Sequence, residues 1–567
     1  MIVSLHPALI FMIGAAVVAV APARLRGLLS LATPIAAFAS MILAAPEMPA
    51  RLALLDYELV IYRADRLSLL FGYLFSLAAF IGGVYALHVR DRLQQVAALA
   101  YAGTAVGIVF AGDMITLFVF WELAAITSVF LIFARRCERS TRAGFRYLAF
   151  QVVSGLMLLA GVLIIARKTG SIAFDAMVLD GLGTWLVFLA FGIKCGFPLL
   201  HNWLTDAYPE ATPTGTVFLS AFTTKAAVYA LARGFAGTEI LVYIGTAMTV
   251  FPIFYAVIEN DLRRVLSYSM INQIGFMVAG IGIGTELALN GAISHAFNDV
   301  IFKGLLFMTM GAVLHMTGRM NGSDLGGLYK SMPQTATLCI VGAASISAFP
   351  LFSGFVSKSM VMAAALEEGY GWLWLFLLFA SAGVFHHAGI KIPFFAFFAH
   401  DSGIRVKEPP INMRIAMLIG AALCIGIGVY PWPLYALLPF PVNYAPFDAT
   451  HVVAQVQLLF FSALAFTWLK LSGLYPPELR SVNIDAEWTY RWLAPRLFRG
   501  MAVVASRASG ALGAAMARMV GGTINALRRY YGPRAAAAAG APIGGASAWI
   551  ALLLALSLVV YYWQGAS

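Results

Sequence analysis

Seven ionisable side chains stand inside otherwise apolar stretches of this 567-residue sequence: Glu122, Lys194, Lys225, His295, Asp299, Lys303 and Lys391. A charge at the centre of a bilayer-spanning helix costs about 2.5–3.5 kcal/mol on insertion scales, so a chain that keeps several is expected to use them. Lys194 lies four residues before Pro198, and Lys225 sits in the next apolar run. Glu122 is the lone charge between Asp113 and Arg135. A carboxylate there must pair, protonate or face water, and Lys194 is its expected partner. Two readings of that pair stay open: an ion pair that orders two helices, or a proton switch in which the lysine gives up its proton when the carboxylate is drawn away. Arginine would fail the second task because it stays charged.

His295, Asp299 and Lys303 recur at i, i+4 and i+8, one stripe of a single helix, which favours a proton or ion relay over a satisfied core histidine. Further on, His386, His387 and Lys391 precede Pro393. Lys391 reads either as a relay group or as a lysine whose head reaches toward His400 and Asp401 at the helix end. Cys137, Cys195, Cys339 and Cys424 form no CxxC pair and no metal-ligand spacing, and are assigned to packing. The sequence has no cofactor motif, so no redox centre or quinone site is expected in this chain.

The elements that position these groups follow from composition. Hydrophobic residues make up 61% and charged ones 11%, against about 25% charged in a globular protein. Sixteen apolar runs, from 5–22 to 547–563, are long enough to cross a bilayer, which predicts an all-α polytopic membrane protein. The first run is read as a retained helix rather than a signal peptide. Runs seven (181–200) and twelve (334–366) are interrupted, each at a Phe-Pro-Leu, around Pro198 and Pro350. A separation of five spans makes the two copies cross in opposite directions. Paired broken helices in inverted halves point to an ion pathway, because irregular backbone at depth needs protein or a wet cavity around it.

Loops after odd-numbered runs hold fifteen Lys and Arg against six after even-numbered ones, which predicts odd loops in the cytoplasm and both chain ends outside. Nine arginines from Arg480 to Arg534, against Asp485 and Glu487, carry most of the net charge of +11. That local excess points to anionic lipid and not to nucleic acid. Trp488 to Tyr531 reads as an interfacial amphipathic segment. Gly500, Gly510, Gly513, Gly521 and Gly522 predict that it is no single rigid rod. An Ala/Gly/Pro tract, Ala535 to Ser547, leads to the last run, Trp549 to Trp563.

With those residues in view, GIKCGFPLLHNWLTDAYPEATPTGTVFLSAFTTKAAVYALAR resembles the signature of the antiporter-like membrane subunits shared by respiratory complex I and Mrp-type multisubunit sodium/proton antiporters. The WEL around Glu122, DLRRVLSYSMINQIGF, HAFNDVIFKGLLF and the lysine of KIPFFAFF are similar too, over residues 65 to 400. Length and wording are closest to the D subunit of Mrp-type antiporters. The resemblance implies a fourteen-helix core with two inverted five-helix repeats. Residues 1–93 then form N-terminal helices, 94–236 and 237–400 the repeats, 401–475 the last core helices, 476–546 the amphipathic segment and linker, and 547–567 a final span. It also implies that Glu122 and Lys194 form the coupled pair, Lys225 is the connecting lysine, His295 and Lys303 are central relays, and Lys391 is the terminal lysine. Asp299 stands where the family usually has a second histidine, and is expected to pair with Lys303 or to offer oxygens to sodium. Thr205 and Tyr208 replace the usual proline and histidine of the loop. The tail after Ser481 resembles in layout the lateral helix and anchor of the largest antiporter-like subunit of complex I.

The expected function is that of a proton-translocating subunit in a multisubunit sodium/proton antiporter complex of a bacterial inner membrane, with protons, sodium and companion membrane subunits as partners. The alternative is a proton-pumping membrane subunit of a complex I-like or hydrogenase-like oxidoreductase. A third reading, from a different class, is a non-conducting anchor for a soluble enzyme.

Overall fold

The computed structural model describes residues 6–43, 50–54, 57–481, 483–532 and 543–564. The chain divides into two compact units, Met1–Asp485 and Ala486–Ser567. The first carries α1 (Pro7–Val20), α2 (Ala23–Leu43), α3 (Arg66–Tyr85), α4 (Arg92–Phe110), α5 (Met114–Phe133), α6 (Glu138–Thr169), α7 (Leu182–Cys195) and α8 (Gly215–Gly234). It continues with α9 (Ile240–Ile258), α10 (Leu262–Ile283), α11 (Glu286–Thr317), α12a (Pro333–Ile346), α12b (Ser353–Glu367), α13 (Gly371–Phe398), α14 (Ile411–Val429) and α15 (Ala449–Leu471). The all-α polytopic expectation holds: among the described residues thirteen helices are long and apolar enough to cross a membrane, and three shorter apolar ones, α1, α7 and α12a, accompany them. A short hairpin, β1 (Ala50–Leu54) and β2 (Tyr57–Tyr62), was not foreseen. It is pinned to the start of α5, where Val60 N donates to Asp113 Oδ2 at 2.8 Å.

Local chemistry starts these helices. Asp113 accepts from Thr116 N at 2.7 Å and Asp261 from Arg263 N at 2.9 Å, each satisfying an orphan donor of the first turn. The two caps are five spans apart, and each also bridges to the chain beyond the following helix, Asp113 to Ala173 and Asp261 to Asn321. The helix breaks match as well. α7 stops at Gly196 (φ 83°), followed by Leu199 at φ 68°; between α12a and α12b, Ala348 and Leu351 have φ of 57° and 72°. Proline lacks the donor that would continue a helix, and the carbonyls it frees must find partners at membrane depth. Trp203 Nε1 donates to Ile193 O at 2.8 Å at the first break. At the second, Lys358 Nζ donates to Ile346 O at 3.2 Å and Gln455 to Ser347 O at 3.0 Å.

Small residues let α9 and α10 approach closely: a Cβ on Gly275 of α10 would lie 2.6 Å from Thr249 N of α9. α10 is buried almost throughout, which makes it the inner wall of the second half. Cys195, Cys339 and Cys424 are buried as expected, whereas Cys137 is exposed at the start of α6.

The second unit holds α16 (Ala494–Tyr531), 38 residues long, and α17 (Ile543–Gln564). α16 runs unbroken through its five glycines, against the expectation that it is no single rod. The cost of about 1 kcal/mol per glycine is spread over a helix long enough to propagate past each one. Arg534 and residues 535–542 of the expected linker lie outside the described residues.

Candidate functional site

In the first half, α5 and α7 bring Glu122 and Lys194 into electrostatic range of each other, but not into an ion pair. This corrects the sequence expectation. Lys194 Nζ donates instead to the carbonyl of Trp121, at 2.5 Å, and lies 4.4 Å from its indole centroid. Trp121 is itself held by Ser154 Oγ at 3.0 Å. Glu122 packs on Gly155, where a Cβ would collide with its Oε1, and that oxygen has no hydrogen bond among the described residues. Gln151 and Asn202, both fully buried, likewise leave their side-chain polar atoms unpaired. Buried polar atoms of this kind mark places where water or a moving proton finds partners.

Between the halves, Lys225 of α8 meets Asp299 of α11: Nζ to Oδ2 is 2.5 Å, with both side chains 0% exposed. Asp299 therefore pairs across the two halves and not with Lys303 one helical turn away. Lys303 Nζ donates to Ser269 Oγ at 2.8 Å. His295 lies between Ser357 Oγ at 3.0 Å and Gln273 Oε1 at 3.2 Å. The stripe expected on one helix is real, and its three members turn to four partners on α8, α10 and α12b.

Lys358 is a residue the sequence reading passed over. It follows the second break, is 1% exposed, and lies 4.9 Å from the Phe276 ring centroid. Lys225, Lys303 and Lys358 are all close enough to His295 to interact with its charge. The rule that singled out Lys194, an ionisable group in an interrupted apolar run, finds Lys358 when that run is followed through Pro350.

At the far end, α13 is distorted by π-helical turns over Phe385–Ile390 and Phe394–Phe398, with Lys391 between them. Such turns cluster at functional sites. Lys391 Nζ donates to the carbonyls of Ala256, Val257 and Glu259 at 3.3, 2.6 and 2.6 Å. It pairs with Glu478 at 3.1 Å. The expected reach toward Asp401 is not made; Asp401 instead pairs with Lys330 at 2.8 Å and Arg405 at 2.6 Å. His387 is fully buried with both ring nitrogens unpaired among the described residues.

The family profile described as "NADH:quinone oxidoreductase/Mrp antiporter, TM" matches residues 111–385, from the start of α5 into α13. The D subunit of the Na(+)/H(+) antiporter of Alkalihalophilus pseudofirmus is 30% identical over 356 residues, covering 58% of this chain and 72% of that protein. The chain belongs to the NADH:quinone oxidoreductase/Mrp antiporter family. A probable A/B subunit of a K(+)/H(+) antiporter from Rhizobium meliloti is 35% identical over 325 residues, 52% of this chain and 32% of that protein. The chain thus spans about a third of that relative's length. Among solved structures, a chain of the membrane-bound sulfane sulfur reductase, an archaeal respiratory membrane complex, superposes with a TM-score of 0.72 at 22% identity. That match covers 98% of this chain and 99% of the other. The Lys225–Asp299 pair and the approach of Glu478 to Lys391 were found only in three dimensions.

Proposed function

We propose that this chain is the proton-translocating subunit of a multisubunit cation/proton antiporter complex. Protons move along Glu122, Lys194, Lys225, Asp299, Lys303, His295 and Lys358, and reach Lys391 at the end of the row. The observation that carries this reading is the run of buried ionisable groups from Lys194 of α7 to Lys391 of α13, headed by the half-buried Glu122 of α5 and joined at its centre by the Lys225–Asp299 pair. Burying lysines without full compensation has no structural benefit that leucine would not exceed, so a merely anchoring chain would not keep them. The matched caps Asp113 and Asp261 and the paired breaks support two inverted repeats over 94–236 and 237–400.

The names of the relatives support sodium or potassium as the exchanged cation, companion membrane subunits as partners, and a bacterial inner membrane as the location. The positive-inside count supports loops after odd-numbered spans facing the cytoplasm. The arginines of α16, all on an exposed helix, support contact with anionic lipid. The fold shared over 98% of this chain with a chain of a respiratory membrane complex supports one alternative, a proton-pumping role coupled to electron transfer in partner chains.

The test is cation-driven proton exchange in inverted vesicles carrying the whole complex. Lys194→Ala and Glu122→Ala are expected to abolish exchange while the complex still assembles. Unaltered exchange in both would overturn the assignment.

A further inference from the structure

After α15 the chain turns back and lies as a strap over the face built by the loops that follow odd-numbered spans. Tyr475 stacks on His386 of α13, with ring centroids 5.5 Å apart and planes at 8°. Arg480 pairs with Asp324 at 2.7 Å, beyond the end of α11. Asn483 donates to Glu259 at 3.4 Å, and Asp485 accepts from Tyr268 at 2.7 Å and lies 3.1 Å from His201 Nε2. The strap is therefore docked along its length, and it carries two carboxylates into the core, Glu478 and Asp485.

Glu478 occupies an unusual position. The three donors of the Lys391 ammonium are shared among the carbonyls of Ala256, Val257 and Glu259 and the Glu478 carboxylate. Glu478 Oε1 stands 3.1 Å from the same ammonium, within reach of its proton, and Lys391 is the one hydrogen-bond partner that the carboxylate has among the described residues. The Glu478 side chain is 7% exposed and Lys391 is 0% exposed, while Pro477 and Leu479 on either side are open to solvent. The carboxylate thus stands between a closed amine and the aqueous phase. Lys391, Lys470, Glu259 and Tyr475 are the charged and titratable groups around it.

We propose that Glu478 is the group through which Lys391 exchanges its proton with the aqueous phase on the strap's side of the protein. The proton passes from Lys391 Nζ to a Glu478 oxygen, leaving a neutral amine and a neutral acid. The acid then gives the proton to water, and a proton returning along the buried row restores the ammonium. Burial pushes the Glu478 carboxyl above its usual range, and this outweighs the nearby lysines. The group therefore holds a proton under conditions in which an exposed glutamate would not.

The inference rests on the proposed proton pathway, so its test includes Lys194→Ala as a reference in the same vesicles. Glu478→Gln is expected to lower cation-driven proton exchange at least tenfold, and Glu478→Asp to keep exchange with a displaced pH profile. Exchange abolished by Lys194→Ala but unchanged in rate and pH profile by Glu478→Gln would overturn this inference alone. Exchange indifferent to Lys194→Ala would overturn the pathway and this inference with it. If Glu478→Gln fails to assemble, Glu478→Asp decides: a shifted pH profile supports the role, and a wild-type profile overturns it.

Discussion

Lys225 Nζ and Asp299 Oδ2 stand 2.5 Å apart, both fully buried, and they join α8 of the first half to α11 of the second. Lys303 and Lys358 also lie within electrostatic range of Asp299. One carboxylate therefore serves three buried amines. Only one ammonium at a time can be fully compensated, so the position of Asp299 decides which lysine holds the charge most easily.

Removing that carboxylate is predicted to be worse than removing the pair. Asp299→Asn leaves Lys225 as an unpaired buried charge, a change expected to destabilise by about 3–5 kcal/mol. The double variant Lys225→Met/Asp299→Leu replaces charge with packing and is expected to recover most of that loss. Thermal unfolding of the purified chain in detergent should rank wild type and the double variant close together, with the single variant well below. Proton exchange should be lost in both.

The ionisable residues themselves were legible because charge in an apolar run is costly wherever it occurs. Their partners were not. Asp299 and Lys303 are one turn apart, which made a local pair the natural expectation, but the neighbouring helix supplied Lys225 and Ser269 instead. Lys194 was paired with Glu122 on residue type and resemblance, whereas the backbone carbonyl of Trp121 offered a nearer acceptor. Glu478 and Asp485 lie in a polar stretch after the last core helix, where sequence reads only a loop; the buried positions come from tertiary contacts more than 80 residues away in sequence. Lys358 was hidden by the break that precedes it.

Gly155→Ala tests the setting of Glu122 without touching a charge. A methyl group there would occupy the space of the carboxylate oxygen. The long side chain is free to swing aside, so the expected cost in stability is below about 1 kcal/mol. Exchange should fall severalfold as Glu122 leaves its place near Lys194. Normal exchange with normal assembly would show that the packed carboxylate position is unimportant.

The strap should respond to pH with a defined sign. Burial raises the Glu478 carboxyl in the folded state above its unfolded value of about 4.3. The folded state therefore binds the proton more tightly, and docking gains stability that is complete below the unfolded value and is lost as pH rises through the raised one. Cleavage by trypsin at Arg480, which is 73% exposed, should accelerate across that window relative to cleavage of a reference peptide. Glu478→Gln should remove the acceleration, because it leaves no proton to lose.

Lys358 separates a structural task from a chemical one. Its ammonium caps the Ile346 carbonyl freed by the helix break, at 3.2 Å. Lys358→Ala leaves that buried acceptor unpaired, at an expected cost of about 1–3 kcal/mol, and should also stop exchange. Arginine can donate to the same carbonyl but stays charged throughout the accessible pH range. Lys358→Arg is therefore expected to restore much of the melting temperature lost in Lys358→Ala and none of the proton exchange. If arginine restored both, Lys358 would be a structural prop for the broken helix, and the proton row would have to pass it by.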